Sequence, residues 1–359
     1  MNGFTWGALK DADCNIWLPI LNTNIIIKGD EKNNYKYVGK LLSENSLFTN
    51  NCIIKALETQ TDIILFARES YEAWKIDKKL LCISYIKYSA QARTRVADVV
   101  RIGDYAIILP VSSKNSILIF NLYTYKTKKV LWKNNIYGEH TNFIRGFCEN
   151  MCVYTATRNL GKIQICKVDV LNCIAELYVI DVRMVNAISS EGDNLWIFGL
   201  DNDNNTFLGK YSRNTKSIVE KYVLDNIEPI SESGSLGYFK MEICKGKIYF
   251  IPALAKKIYV YDIAKKLGEH MEFPEKIKNS RINNNLSFLE IQRIDDNLYM
   301  FPCAFPQILK MDMLQGSIEA IELNIEKSVG KKVLDDCTGM SQILNEDYPL
   351  TLKDFIKDV

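Results

Sequence analysis

Three observations predict an all-β fold built from repeated units. Pairs of short apolar runs recur along the chain, a turn-forming residue follows the second run of each pair, and the pairs are regularly spaced. The clearest copy is Lys247-Ile-Tyr-Phe-Ile-Pro252, followed by Lys257-Ile-Tyr-Val-Tyr-Asp262. β-branched and aromatic residues dominate both runs, and Gly, Asn and Asp interrupt any helical period, so the runs are predicted to be strands.

Seven copies of this pair define the repeat. The central residues of the opening runs lie 43 to 53 residues apart: Ile16, Ile64, Ile107, Val153, Trp196, Tyr249 and Tyr299. The second runs end at residues whose side chains bend the chain by bonding to the backbone: Asp30, Asp77, Asn121, Asp169, Ser212, Asp262 and Asp312. A period of this size, made of short strands, is typical of the blades of a β-propeller.

One further strand before each pair, as at 238–244 and 288–294, and one after it, as at 129–132 and 271–273, give four antiparallel strands per blade. The predicted propeller covers residues 1–325, with blades at about 3–41, 50–86, 95–133, 142–180, 184–224, 238–274 and 287–324. The chain resembles the seven-bladed β-propellers of the kelch, WD40 and YVTN-repeat kind. It lacks the Gly-Gly, Gly-His, Trp-Asp and Tyr-Val-Thr-Asn signatures of those families, so the resemblance implies architecture and brings no functional residues with it.

Residues 326–359 are predicted to form a tail with a short helix packed on the propeller. Thr351 could cap this helix, with Leu352, Phe355 and Ile356 on its apolar face. Two modes of closure stay open at this point. The first and last blades could meet through side-chain packing alone, or a tail strand at 329–334 could be added to a blade.

The composition is that of a globular protein and excludes several functional classes. Apolar residues make up 47% and charged residues 25%, and the net charge of +2 provides no drive toward nucleic acid or membrane. No apolar stretch is long enough to span a bilayer, and the first residues lack a basic, signal-like start. We therefore expect a cytoplasmic protein with reduced cysteines. Cys148 and Cys152 have no second Cys or His pair at zinc-finger spacing, so neither a zinc site nor any cofactor is expected.

Binding residues are expected on one loop face of the propeller. This face is formed by the loops between the second and third strands and by those between blades, because loops carry sites while strands are committed to packing. An Arg-rich face would suit carboxylate or phosphate ligands. The alternative is that these side chains are solvated and paired with nearby acids such as Glu69, Glu139 and Asp181. The candidate residues are Arg68, Arg93, Arg95, Lys114, His140, Arg158, Arg183 and Arg281.

A few residues could support other chemistry. His140 beside Glu139 could act as a general base, with Arg145 nearby, although no nucleophile is evident. Asp201 and Asp203 alternate with Asn residues as calcium ligands do, but the loop lacks the Gly and Glu of a calcium-binding loop, and a polar hairpin between Gly199 and Leu208 explains the run without metal. Trp6 could face the central channel. Tyr71, Tyr137, Tyr238 and Phe305 are the aromatic residues available for stacking on a sugar.

Three functions follow, in decreasing order of preference. The first is a binding or scaffolding module for a protein, a peptide or an anionic small molecule. The second is a hydrolase, lyase or peptide-modifying enzyme that acts on an anionic substrate through Arg93, Arg95, His140 and Arg183. The third is a sugar-binding propeller.

Overall fold

The computed structural model shows a seven-bladed β-propeller of antiparallel sheets, with a short helix after the last blade. The structure describes residues 7–20, 24–32, 34–42, 53–89, 95–111, 116–133, 143–159, 161–224, 227, 237–252, 257–275, 288–302, 307–323 and 325–337.

The first three blades are four-stranded sheets whose strands follow the order of the chain. Blade one consists of β1 (Leu9–Lys10), β2 (Ile16–Ile20), β3 (Ile25–Gly29) and β4 (Lys36–Lys40). Blade two consists of β5 (Ile53–Glu58), β6 (Asp62–Ala67), β7 (Glu72–Asp77) and β8 (Ile83–Lys87). Blade three consists of β9 (Val96–Ile102), β10 (Tyr105–Pro110), β11 (Leu118–Asn121) and β12 (Thr127–Lys129).

Blade four has a fifth strand, and the remaining blades again have four. Blade four consists of β13 (Leu131–Trp132), β14 (Phe147–Glu149), β15 (Cys152–Asn159), β16 (Lys162–Asp169) and β17 (Ile174–Ile180). Blade five consists of β18 (Met184–Glu191), β19 (Asn194–Leu200), β20 (Thr206–Ser212) and β21 (Ser217–Val223). Blade six consists of β22 (Tyr238–Cys244), β23 (Lys247–Pro252), β24 (Ile258–Asp262) and β25 (Leu267–Met271). Blade seven consists of β26 (Phe288–Ile294), β27 (Asn297–Pro302), β28 (Gln307–Asp312) and β29 (Ser317–Glu322), and helix α1 spans Lys327–Cys337.

The predicted turn residues lie at the end of the third strand of their blade or directly after it, and each side chain accepts backbone N–H groups from the turn that follows. Asp77 Oδ1 accepts from Lys79 at 2.8 Å and from Leu80 at 2.7 Å. Asn121, Ser212 and Asp312 hold the same place and accept in the same way. These bonds satisfy amides that the turn leaves unpaired, which is why short polar residues recur at this position.

The chain forms two compact units, one containing blades one, two and seven and the other containing blades three to six. In the second unit, apolar side chains fill the space between neighbouring blades, as Phe198, Tyr238 and Phe250 do between blades five and six. This packing explains the nearly continuous apolar runs, because a strand covered on both faces has little need of polar alternation.

In the first unit, blades one and seven pack directly on each other. Leu18 of β2 joins Phe301 and Ile308 of blade seven in one buried cluster, which also contains Val333 of α1. The segment 329–334 lies within α1, so the suggestion that it adds a strand to a blade is wrong. The helix packs its valines against this cluster, and α1 also contacts β4. The helix suggested near Thr351 lies outside the described residues.

The predicted outer strands of blades three and six differ from those in the structure. The run 129–132 is predicted to be the outer strand of blade three, but that strand ends at Lys129. Leu131 and Trp132 instead pair in parallel with Ile174 and Ala175 of blade four. The run 271–273 is likewise predicted to be a strand, whereas the outer strand of blade six is Leu267–Met271. Phe273 is apolar because it is buried against Phe288, and it is not part of the sheet.

A β-bulge recurs near the start of the first strand in five blades. The pairing shifts register between Ile53 and Lys55, and the other shifts lie opposite Pro110, Gly199, Pro252 and Pro302. The bulge thus faces the Pro, Ala or Gly at or near the end of the second strand. A bulge changes the direction in which a side chain points. The Pro, Ala or Gly of the second strand therefore marks the point opposite which the side chains of the first strand change direction.

Candidate functional site

The predicted arginines that the structure describes lie on separate blades. Arg68 follows β6 and forms an ion pair with Glu69, with Nε and Oε1 3.7 Å apart. Arg95, Arg158 and Arg183 are exposed and belong to blades three, four and five. The backbone of Arg95 accepts from Val111, and that of Arg183 donates to Leu200, so both residues help to close strand ends.

Arg145 lies in a more enclosed position within the second unit. It is half-buried, and its guanidinium carbon is 4.4 Å from the ring centroid of Phe239. Phe239 is the bulged residue of β22, so the bulge presents the ring to a cation from blade four. A cation–π contact of this kind contributes about 0.5–2 kcal/mol and holds Arg145 as a link between blades.

Several predicted site residues lie outside the described residues: Trp6, Arg93, Lys114, Tyr137, His140, Arg281 and Phe305. The proposed acid–base group at His140 is among them. The other histidine, His270, lies on outer strand β25, with its ring 5.3 Å from the ring of Tyr259.

The aromatic residues suggested for sugar stacking are buried where the structure describes them. Tyr71 is 2% exposed, and Tyr238 is 0% exposed. Tyr238 packs edge-on against Phe198 and Phe250. Neither tyrosine therefore offers a ring face to a sugar in solution, and both serve the core instead.

The loop that begins at Asp201 has the geometry of a polar hairpin. Asp201 is buried, and its carboxylate accepts the backbone N–H groups of Asp203 and Asn205 and the ammonium group of Lys221 at 2.8 Å. The Lys221 bond, together with the amide bonds, lowers the pKa of this carboxyl group. Its oxygens are thus already occupied. In the described part of the chain, no three His, Cys, Asp or Glu residues are grouped as metal ligands would be.

Cys148 and Cys152 point to opposite faces of blade four. Cys148 pairs with Val153, and Cys152 pairs with Glu149, so the two thiols lie on alternate sides of the sheet. Cys148 packs with the cluster toward blade three and Cys152 with the cluster toward blade five. Burial raises the pKa of both thiols, so they are protonated at neutral pH and poorly nucleophilic.

Eight described residues converge on a cavity of about 230 Å³ within the second unit, between blades four and five. We call it the blade 4–5 pocket. On one side, Tyr154, Lys167 and Glu176 form a row, because Tyr154 pairs with Lys167 and Lys167 pairs with Glu176 across three adjacent strands. The pocket is lined by Tyr154, Ile165, Lys167, Glu176, Tyr178, Tyr211, Arg213 and Lys216.

Cations lie against aromatic rings around the blade 4–5 pocket. The Arg213 guanidinium is 5.0 Å from the ring centroid of Tyr154, and the Lys216 ammonium is 4.3 Å from that of Tyr178. Arg213 also forms an ion pair with Glu149 of the neighbouring blade. Glu176 accepts from Lys133 at 2.6 Å and from the Tyr178 hydroxyl. Glu149 and Glu176 are therefore both already bonded to cations.

Two buried donors at the pocket have no hydrogen-bond partner among the described residues. Tyr211 is 2% exposed, and neither its hydroxyl oxygen nor Arg213 Nε has a partner among the described residues. Burial raises the pKa of the Tyr211 hydroxyl to about 12, so this group stays protonated and can donate. Buried polar groups are almost always bonded, and leaving one unsatisfied costs about 1–3 kcal/mol. Such groups beside a cavity indicate a place for a ligand.

The sequence signal for this pocket is a departure from the repeat. The residue after the third-strand turn former is apolar in four blades, and in blade five it is Arg213. Blades one and two have Glu31 and Lys78 at this position, but those residues form their shortest ion pairs within their own blade. The ion pair with Glu149 shows that Arg213 reaches the neighbouring blade. This contact depends on how two blades pack, so the sequence alone does not predict the pocket. The four apolar residues are Leu122, Val170, Ile263 and Met313.

The pocket also lies away from the loop face that the sequence favoured. Arg213 and Lys216 follow β20, in the turn between the third and fourth strands of blade five. Turns of that class belong to neither of the loop sets in which binding residues are expected. The lining residues offer charge, hydrogen bonding and ring contacts, and Ser, Cys and His are not among them.

Comparison with known proteins identifies the fold and no family. No protein-family model matches the chain, and no curated protein matches it. Virginiamycin B lyase from Staphylococcus aureus has a similar structure, with a TM-score of 0.59, 9% identity, and coverage of 84% of this chain and 92% of that chain. A streptogramin B lyase has a TM-score of 0.59 and 12% identity, covering 89% of this chain and 94% of that one. The Dos1 propeller has a TM-score of 0.59 and 8% identity, covering 90% and 85%.

Identities this low show a shared fold alone, since the same fold carries many unrelated functions. In the part of the chain that the structure describes, none of the helices has the length and hydropathy that a membrane crossing requires.

Proposed function

We propose that the chain is a ligand-binding propeller and that the blade 4–5 pocket is its binding site for a small molecule. The observation that supports this function is the pair of buried, unpartnered donors, Tyr211 and Arg213 Nε, beside a cavity of about 230 Å³. A structural role alone would favour phenylalanine at position 211, because an unsatisfied hydroxyl costs stability.

The size of the cavity sets the scale of the ligand. At about 30 Å³ per water molecule, the cavity corresponds to roughly eight waters. It is therefore smaller than the ~300–1,000 Å³ typical of sites for drug-sized ligands. A fragment-sized molecule fits this volume better than an oligosaccharide or a folded partner does.

Ligand-observed NMR with a mixture of small acids, amides and sugars tests this function. Bound fragments would then be located by backbone amide shifts. We expect shifts at Tyr154, Lys167 and Lys216 and none at Lys162, which lies at the other end of β16. If every bound fragment shifted amides elsewhere, or if none bound, the pocket would not be the binding site.

The enzyme alternative has weaker support. Of its four proposed residues, Arg95 and Arg183 are exposed on different blades, and Arg93 and His140 lie outside the described residues. The similarity to streptogramin-type lyases concerns the fold, so a lyase activity of this chain is a hypothesis that a turnover assay would test. A protein or peptide partner and a cytoplasmic location also stay predictions, which affinity purification and cell fractionation address.

A further inference from the structure

We infer that the ligand of the blade 4–5 pocket is a small carboxylate carried on a planar apolar body, of the kind represented by benzoate. This inference rests on the proposed function, because it specifies the chemistry of a ligand at the same site. It is drawn from the charges, the unfilled donors and the apolar lining of the pocket.

The charge of the lining favours an anion. Three lining residues are cationic, Lys167, Arg213 and Lys216, and one, Glu176, is acidic. Within the described residues, neither Lys167 nor Lys216 forms an ion pair within 4.0 Å. Two ammonium groups are thus available, while the one acidic lining residue is already bonded to Lys133 and Tyr178.

The two donors that lack a partner among the described residues favour acceptor atoms on the ligand. Arg213 Nε can only donate, and the buried Tyr211 hydroxyl is protonated and can donate as well. A carboxylate brings two acceptor oxygens that match donors arranged in this way, and bonds from a guanidinium to a carboxylate are about twice as strong as neutral ones.

The rest of the lining favours an apolar, flat body over a fully hydrated anion. Tyr154, Tyr178 and Ile165 provide rings and an aliphatic surface next to the charged groups. An inorganic phosphate would fill little of this surface and would lose its hydration in exchange for few contacts. An aromatic carboxylate uses both the charged and the apolar parts of the pocket.

Isothermal titration of the full chain with benzoate, benzamide and inorganic phosphate at constant ionic strength tests the inference. Benzamide has nearly the same shape as benzoate without its charge. We expect benzoate to bind at least ten-fold more tightly than benzamide and than phosphate. Tyr211→Phe and Lys167→Met should each weaken benzoate binding at least five-fold.

Two matched variants serve as controls. Tyr35→Phe removes a buried hydroxyl of blade one that likewise has no partner in the described part of the chain. Lys162→Met removes an exposed lysine from the same strand as Lys167. Both should bind benzoate as the unmodified chain does. A loss in these controls equal to that in the pocket variants would overturn the inference.

The outcomes separate the ligand class from the proposed function. Benzamide binding as tightly as benzoate, or phosphate binding more tightly, would overturn the carboxylate inference, while fragment shifts at Tyr154 and Lys167 would still support the pocket as a binding site. If neither benzoate nor any fragment shifted those amides, the inference and the proposed function would both fail.

Discussion

At the scale of single residues, the most informative feature is the hydroxyl group of Tyr211. It is buried and unpartnered beside a cavity, and tyrosine differs from phenylalanine by this one group. Such a group lowers the stability of the free protein, and binding can recover that loss if the ligand supplies an acceptor. A single substitution of Tyr211 is therefore expected to change the stability of the free protein and its ligand affinity in opposite directions.

We expect Tyr211→Phe to raise the free energy of unfolding of the ligand-free chain by about 1 kcal/mol, because it removes an unsatisfied polar group. Tyr35→Phe should have an effect of the same sign for the same reason. Calorimetric unfolding of both variants checks this expectation. A clear loss of stability in Tyr211→Phe would show that the hydroxyl has a partner in the free protein.

Gly199 lies near the end of the second strand of blade five, opposite a bulge. A methyl group at this position would lie 1.9 Å from the carbonyl oxygen of Met184, which is backbone and cannot rotate away. We expect Gly199→Ala to lower the free energy of unfolding by about 1–3 kcal/mol or more. Ala67 holds the equivalent place in blade two and is fully buried, so Ala67→Gly should cost about 1–2 kcal/mol through glycine flexibility and the loss of one buried methyl group. Denaturant unfolding of the two variants provides the comparison.

At the scale of structural elements, the turn after the third strand shows how one short side chain organises a hairpin. Backbone N–H bonds lower the pKa of Asp77, Asp169 and Asp262. Because the folded-state pKa values lie below the unfolded ones, the ionised carboxylates favour the folded state. Their contribution is present above the unfolded pKa of about 3.9 and is lost as the pH falls below it.

Replacing all three with asparagine should preserve the acceptor oxygen, as Asn121 does in blade three. We expect an unfolding temperature slightly below that of the unmodified chain at pH 7, because the ionised carboxylates are lost, and a smaller decrease between about pH 5 and pH 3. The matched control replaces three exposed aspartates outside these turns, Asp104, Asp193 and Asp203. If the control triple variant changed the acid response as much, general charge repulsion would explain the effect better than the turns do.

The sequence predicts these turns and the centres of the strands because both depend on local chemistry. The runs 238–244 and 288–294 are predicted with their correct limits, since Tyr238 and Phe288 each begin a dense apolar run. The sequence does not predict contacts between blades, because they depend on how distant parts of the chain pack. The crossing of Leu131 and Trp132 to blade four depends on where two blades lie, and the blade 4–5 pocket depends on strand register. The spacing of residues along the chain therefore predicts neither the strand crossing nor the pocket.

At the scale of the whole molecule, helix α1 strengthens the contact between the first and last blades. Val333 is 1% exposed in the cluster that joins them, while its neighbour Lys332 is exposed. We expect Val333→Asp to lower the free energy of unfolding by about 2–4 kcal/mol, because it places an unpaired charge in an apolar cluster. Lys332→Asp should have little effect. Thermal unfolding distinguishes the two, and equal losses would indicate that α1 acts through its charge and not through this contact.

The contact between blades one and seven also has a consequence for the order of events during synthesis. Lys10 N donates to Gln292 Oε1 across 282 residues of chain, so the partner of the first blade is made almost last. At about 5–20 residues per second, the ribosome needs on the order of half a minute to supply it. During that interval the apolar face of blade one is without its native cover. The nascent chain is therefore expected to depend on chaperones until blade seven emerges, and a ribosome stalled before residue 288 should carry an aggregation-prone product.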